Sequence, residues 1–163
     1  MRIVTGIGPR VGSSFVMKSL RDSGLPVIGG KFWEFTAKDE NPDGYWEPHP
    51  IETNKNIYTN KWKNKVIKLW PSVLLKTPVY NIDRMVVLER QDRQRQDESV
   101  IRVEEKEQRL IKFYNPFNPV TDLIDWSRWC LSRALEEANY PILRVYTEDL
   151  SDNINDVIKF MEK

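Results

Sequence analysis

The residue types best suited to hold an anion lie near the start of the chain, in Gly6-Ile7-Gly8-Pro9-Arg10-Val11-Gly12-Ser13-Ser14. Glycines let backbone N–H groups approach a bound oxygen closely. Ser13 and Ser14 add hydroxyl donors. A helix beginning there favours negative charge at its N-terminus by about 0.3–1 kcal/mol. Arg10 can add a forked, charge-assisted contact worth about 1.5–3 kcal/mol. These parts together make a phosphate cradle. The plainer alternative is a glycine-rich turn with a surface arginine.

A cradle needs a strand before it and a helix after it, and the hydrophobic pattern supplies both. Arg2 to Gly6 reads as a short buried strand. Ser13 to Ser23 reads as a helix with Phe15, Val16 and Leu20 inward and Gly24 as its stop. Further strands are expected at Pro26 to Ile28, at Lys65 to Trp70 (ended by Pro71), at Met85 to Leu88 and at Ile142 to Tyr146. A helix from Thr121 or Asp122 to about Asn139 presents Leu123, Trp126, Cys130, Ala134 and Ala138. A last helix capped by Ser151 presents Ile154, Val157, Ile158 and Met161. Short β-rich runs alternating with helical ones predict an α/β fold: three layers, α/β/α, around a mainly parallel sheet. In such sheets ligands bind where strand C-termini meet helix N-termini, which is where the loop sits.

Two familiar phosphate loops do not fit. In the nucleotide-binding pattern G-x-x-x-x-G-K-[ST] a lysine follows the second glycine, and here Ser13 follows Gly12. In the dinucleotide fingerprint G-x-G-x-x-G, Gly12 comes one residue too late. Pro9-Arg10-Val11-Gly12-Ser13-Ser14-Phe15 instead resembles the phosphosulfate-binding loop of the sulfotransferase family, P-[KR]-S-G-[ST]-[ST] followed by an apolar or aromatic residue. Val11 stands in place of the family's serine. Asn41-Pro42-Asp43-Gly44-Tyr45-Trp46-Glu47 is similar to the N-P-x-G-[YF]-x-E segment of bacterial and phage members. Val66-Ile67-Lys68 resembles the strand that ends in a lysine near the transferring group. Met85 to Arg90 resembles the strand whose final arginine meets the 3′-phosphate. Val145 to Leu150 is similar to the V-x-Y-E-D-L strand end.

The resemblance implies a P-loop NTPase-like fold and transfer of a sulfuryl group from 3′-phosphoadenosine 5′-phosphosulfate (PAPS) to a hydroxyl or amine, with no metal. It implies that Arg10, Val11, Gly12, Ser13, Ser14 and Phe15 hold the 5′-phosphosulfate, and that Arg90 with Ser99 holds the 3′-phosphate. Ser99 follows Arg90 by nine residues where the family has eight. It implies Glu47 as the base that takes the acceptor proton, with His49 as second choice, and Lys68 as the lysine that neutralises charge; Lys76 is the alternative lysine. Trp33, Tyr45 and Trp46 are candidates for lining an acceptor or adenine pocket. The family's C-terminal R-K-G-x-x-G-x-W segment has no counterpart before Lys163, so a minimal member is expected. Two other functions share this architecture. One is a nucleotide kinase-like phosphotransferase, which needs Mg²⁺ and the missing lysine. The other is a noncatalytic nucleotide- or anion-binding protein.

Composition bounds the rest. The 163 residues make one domain, and 40% hydrophobic with 11% aromatic residues exclude a wholly disordered chain. Lys plus Arg number 25 against 24 Asp plus Glu, so net charge +1 gives no reason to expect nucleic-acid or membrane binding. The charged stretch from Arg84 to Lys112 reads as a solvated helix face. Cys130 is the single cysteine, which excludes an internal disulfide and a multi-cysteine zinc site. It points to an inert buried thiol in a reducing compartment. With no export signal and no apolar run of about 20 residues, a cytoplasmic protein is expected. Lys38 to Pro50 and Asn115 to Pro119 read as linker-like loops within the one domain.

Overall fold

The computed structural model describes residues 1–29, 46–48, 50–106 and 120–163. Five strands, β1 (Arg2–Gly6), β2 (Val27–Ile28), β3 (Val66–Lys68), β4 (Arg84–Glu89) and β5 (Ile142–Tyr146), form one sheet in the order 2-3-1-4-5. Every pairing is parallel. The helices are α1 (Ser13–Asp22), α2 (Pro50–Asn56), α3 (Pro71–Leu74), α4 (Arg93–Lys106), α5 (Val120–Leu135) and α6 (Leu150–Glu162), with single 3₁₀ turns at Asn60–Trp62, Val79–Asn81 and Thr147–Asp149.

The central strands β1 and β4 are buried at every inner position because both faces are covered. Alternate residues feed two cores. Ile3, Ile67, Met85 and Val87 join Leu74 of α3 and Ile124 and Leu131 of α5 on one face. Val4, Val66, Val86 and Leu88 join Val16, Met17 and Leu20 of α1 and Val157 and Met161 of α6 on the other. The α/β architecture with a parallel sheet flanked by helices is therefore as the pattern predicts. The crossover from β1 to β2 runs one way along the sheet over α1. Those from β3 to β4 and from β4 to β5 run the other way over the opposite face, as a constant crossover hand requires. The chain thus leaves neighbouring strands β1 and β4 in opposite directions. Their C-terminal ends bound the crevice where open α/β sheets bind ligands.

Some side chains depart from the periodic reading. Phe15 is 39% exposed, and Met17 fills the core in its place. On α5 the inward line is Ile124, Ser127, Cys130 and Leu131, with Leu123 and Trp126 only half-buried. Cys130 and Ala134 face the core as expected, but in the first turns the inward residues lie one position later, because Ser127, wholly buried, looks polar in the sequence. Asp149 is the N-cap of α6, and Ser151 lies in the first turn. β3 is shorter than the expected Lys65 to Trp70 and stops at Lys68, while Pro71 opens α3, where its missing N–H costs nothing. Trp70 and Trp126 are partly buried, in keeping with packing roles. Among the described residues no helix is long and apolar enough to cross a membrane.

Candidate functional site

The loop between β1 and α1 is folded tightly. Any side chain on Gly6 would overlap Val11. Every second residue from Gly8 to Gly12 has φ in the left-handed region: 77° at Gly8, 64° at Arg10 and 76° at Gly12. A non-glycine residue there costs about 1–2 kcal/mol, so the surroundings must hold Arg10 in place. Pro9 has no N–H, but the backbone N–H groups of Gly8, Arg10, Val11 and Gly12 can line an anion-binding concavity in a turn of this kind. Gly12 is the N-cap of α1 and offers no side-chain cap, and the first turn holds no acidic residue. Gly12 itself therefore gives the leading N–H groups of this ten-residue helix no side-chain acceptor.

The loop's carbonyl oxygens are drawn outward by donors around it. Gln96 on α4 donates from Nε2 to Ile7 O (2.9 Å) and Pro9 O (2.7 Å). Arg90 donates from Nη1 to Arg10 O at 3.3 Å. The Thr147 hydroxyl lies 3.0 Å from Val11 O and 3.1 Å from Glu89 O. Val16 N donates to Gly12 O within the helix.

The loop is flanked by two charged groups, one from each neighbour of β1. On the β4 side Arg10 donates from Nε to Ser99 Oγ at 3.0 Å, so the nine-residue spacing still brings Ser99 to the loop. Arg90 Nε stands 3.7 Å from Glu148 Oε1. The Glu148 carboxylate also accepts the backbone N–H groups of Gln91 and Asp92, each at 3.2 Å. Burial pushes the Glu148 carboxyl up. The backbone N–H groups of Glu148, Gln91 and Asp92, with the Arg90 charge, outweigh that and hold it below its ordinary value of 4.5.

On the β3 side Lys68 Nζ meets Glu47 Oε1 at 2.6 Å, with both side chains largely buried. Val66 and Ile67 enter opposite cores, so Lys68 points with Val66 toward the face of α1 and α6. Glu47 is fixed by its neighbours. Trp46 is buried in the α1 core with the Arg21 guanidinium 4.9 Å from its ring centre, and Pro48 is buried too. The second oxygen, Glu47 Oε2, is buried with no hydrogen-bond partner among the described residues. A bare buried carboxylate oxygen is costly unless a donor arrives.

The sequence-derived candidates thus fall into two groups, Arg10 with Arg90 and Ser99, and Glu47 with Lys68, with the loop between. Comparison with protein-family models, curated proteins and solved structures finds no match. Ser13 and Ser14 are partly buried at the helix start, while the Val11 side chain belongs to the core, leaving only its backbone for a ligand. Phe15 faces outward. His49, Trp33 and Tyr45 lie outside the described residues. Lys76 is exposed and follows α3. Cys130 is fully buried as a free thiol, and burial pushes its pKa up. No group of acidic, histidine or cysteine side chains among the described residues is arranged to hold a metal ion. Gln96 and Thr147 went unnoticed in the sequence reading. The spacing of Gln96, Ser99 and Val100 (i, i+3, i+4) was the available signal, hidden in a highly charged run.

Proposed function

We propose that the chain is a PAPS-dependent sulfotransferase-like protein with a three-layer, P-loop NTPase-like fold, transferring a sulfuryl group to a hydroxyl or amine acceptor. The observation that carries this reading is the loop itself. Its carbonyls are drawn away by Gln96, Arg90 and Thr147, its helix starts at Gly12, which has no side chain to cap it, and Arg10 and Arg90 stand beside it. That arrangement suits the 5′- and 3′-phosphate groups of the donor and its product. The absent lysine after Gly12 argues against an ATP-type phosphotransferase.

PAPS, when bound, supplies a sulfuryl group on a good phosphate leaving group. The chain's own residues orient and stabilise it. The loop amides and Arg10 neutralise the leaving phosphate, and Arg90 with Ser99 holds the 3′-phosphate. Lys68, at the end of the neighbouring strand, offsets charge at the transferring group. Glu47 Oε2 is the acceptor for the incoming hydroxyl or amine proton, and the Lys68 contact to Oε1 fixes its direction. The buried, unpaired Cys130 fits a reducing, cytoplasmic setting.

A screen of hydroxyl and amine compounds with radiolabelled PAPS tests the reading. With a productive acceptor, Glu47→Gln keeps bisphosphate affinity and lowers turnover by roughly 10²–10⁴-fold. His49→Ala costs much less. A normal turnover in Glu47→Gln with a dead His49→Ala reverses the base assignment. Tight bisphosphate binding with no acceptor found favours the noncatalytic binding protein.

A further inference from the structure

Three peptide units in the loop precede a residue of positive φ: Ile7–Gly8, Pro9–Arg10 and Val11–Gly12. The carbonyl of each is met by a side-chain donor from outside the loop, Gln96 for the first two and Thr147 for the third. In a trans peptide the C=O and N–H point in opposite directions. Holding these carbonyls therefore aims the N–H groups of Gly8, Arg10 and Gly12 away from Gln96 and Thr147. Flipping any of these planes would carry the following residue out of positive φ and turn an oxygen where an N–H had been. At Arg10, where the left-handed conformation is costly, the flip is the relaxation that Gln96 opposes.

We propose that Gln96 and Thr147 are positioning residues that set the loop's amide directions for anion binding. Gln96 is suited to this, being 2% exposed, on α4, and near enough to Gly8 that an added Cβ there would lie 3.1 Å from Nε2. Thr147 is suited because its hydroxyl sits between the loop and the end of β4, its single proton shared between Val11 O and Glu89 O. The inference rests on the loop being the anion site, whatever the anion's organic part.

The test is calorimetry of the whole chain with two probes, 3′-phosphoadenosine 5′-phosphate and inorganic pyrophosphate, with thermal melts to establish folding. Gln96→Met keeps length and loses the donors. Thr147→Val keeps shape and loses the hydroxyl, which Thr147→Ser restores. Each of the first two weakens both probes by about tenfold while remaining folded, and Thr147→Ser returns to within about twofold of wild type. Wild-type affinity in folded Gln96→Met and Thr147→Val overturns the proposal. So does equal weakening by Thr147→Val and Thr147→Ser, since the methyl and not the hydroxyl would then matter. Wild type binding pyrophosphate but not the nucleotide removes the sulfotransferase reading, and the two residues are still judged on pyrophosphate. Binding of neither probe removes both.

Discussion

Arg10 concentrates the loop's chemistry in one residue: positive φ, a side chain on Ser99 and a carbonyl held by Arg90. On the proposed function its guanidinium forks onto a 5′-phosphate, and Arg10→Ala should then bind the bisphosphate about tenfold to a hundredfold more weakly, or about 1.5–3 kcal/mol. Arg10→Lys recovers only part, because one ammonium cannot reproduce the fork. Titration calorimetry on the folded variants checks both, and unchanged affinity in Arg10→Ala places the anion elsewhere. Glu148 gives a pH prediction. Its carboxyl is held below 4.5 in the folded protein, so its ionised form contributes stability above that pH. The contribution fades as pH falls from 4.5 through the folded-state value. Urea unfolding of wild type and Glu148→Gln therefore differs more at pH 7 than at pH 3. A difference that grows in acid contradicts the assignment.

At the scale of elements, the junction between loop and α1 depends on Gly12. It sits at φ 76°, and an added Cβ would come 2.8 Å from Leu150 Cδ2 on α6. Gly12→Ala should destabilise the fold by about 1–2 kcal/mol, read as a lower urea midpoint. A midpoint equal to wild type would mean that the loop relaxes freely and is not preformed. The sequence makes β1, β4 and β5 legible within a residue because each is a short β-rich run with a clear stop, Gly6 at the end of β1, Arg84 and Glu89 at the ends of β4 and Pro141 before β5. The anion loop is legible because glycines and serines cluster between strand and helix. Gln96 and Thr147 are not, since a polar side chain in a polar segment acquires its role only when α4 and the β5 end fold against the loop. The first turns of α5 face inward one position later than expected for a related reason: Ser127 is buried although nothing in its type says so. Short α3 escapes notice because Pro71 reads as a stop and not also as a start.

Across the whole molecule the charges nearly cancel, yet the switch crevice gathers Arg10 and Arg90 on one flank of the loop and Lys68 on the other. Glu47 and Glu148 are each engaged with one of these cations. Under the proposed function these cations, and not the net charge, are what meet the bisphosphate. The central claim is that the loop and its arginines select a 3′,5′-bisphosphate without the help of a divalent metal. Calorimetry of the intact chain with 3′-phosphoadenosine 5′-phosphate and with ADP, each in chelator and again with Mg²⁺, measures it directly. The bisphosphate should bind more tightly than ADP, with the same affinity in both buffers. Equal affinity for the two nucleotides, or binding that appears only with Mg²⁺, contradicts it.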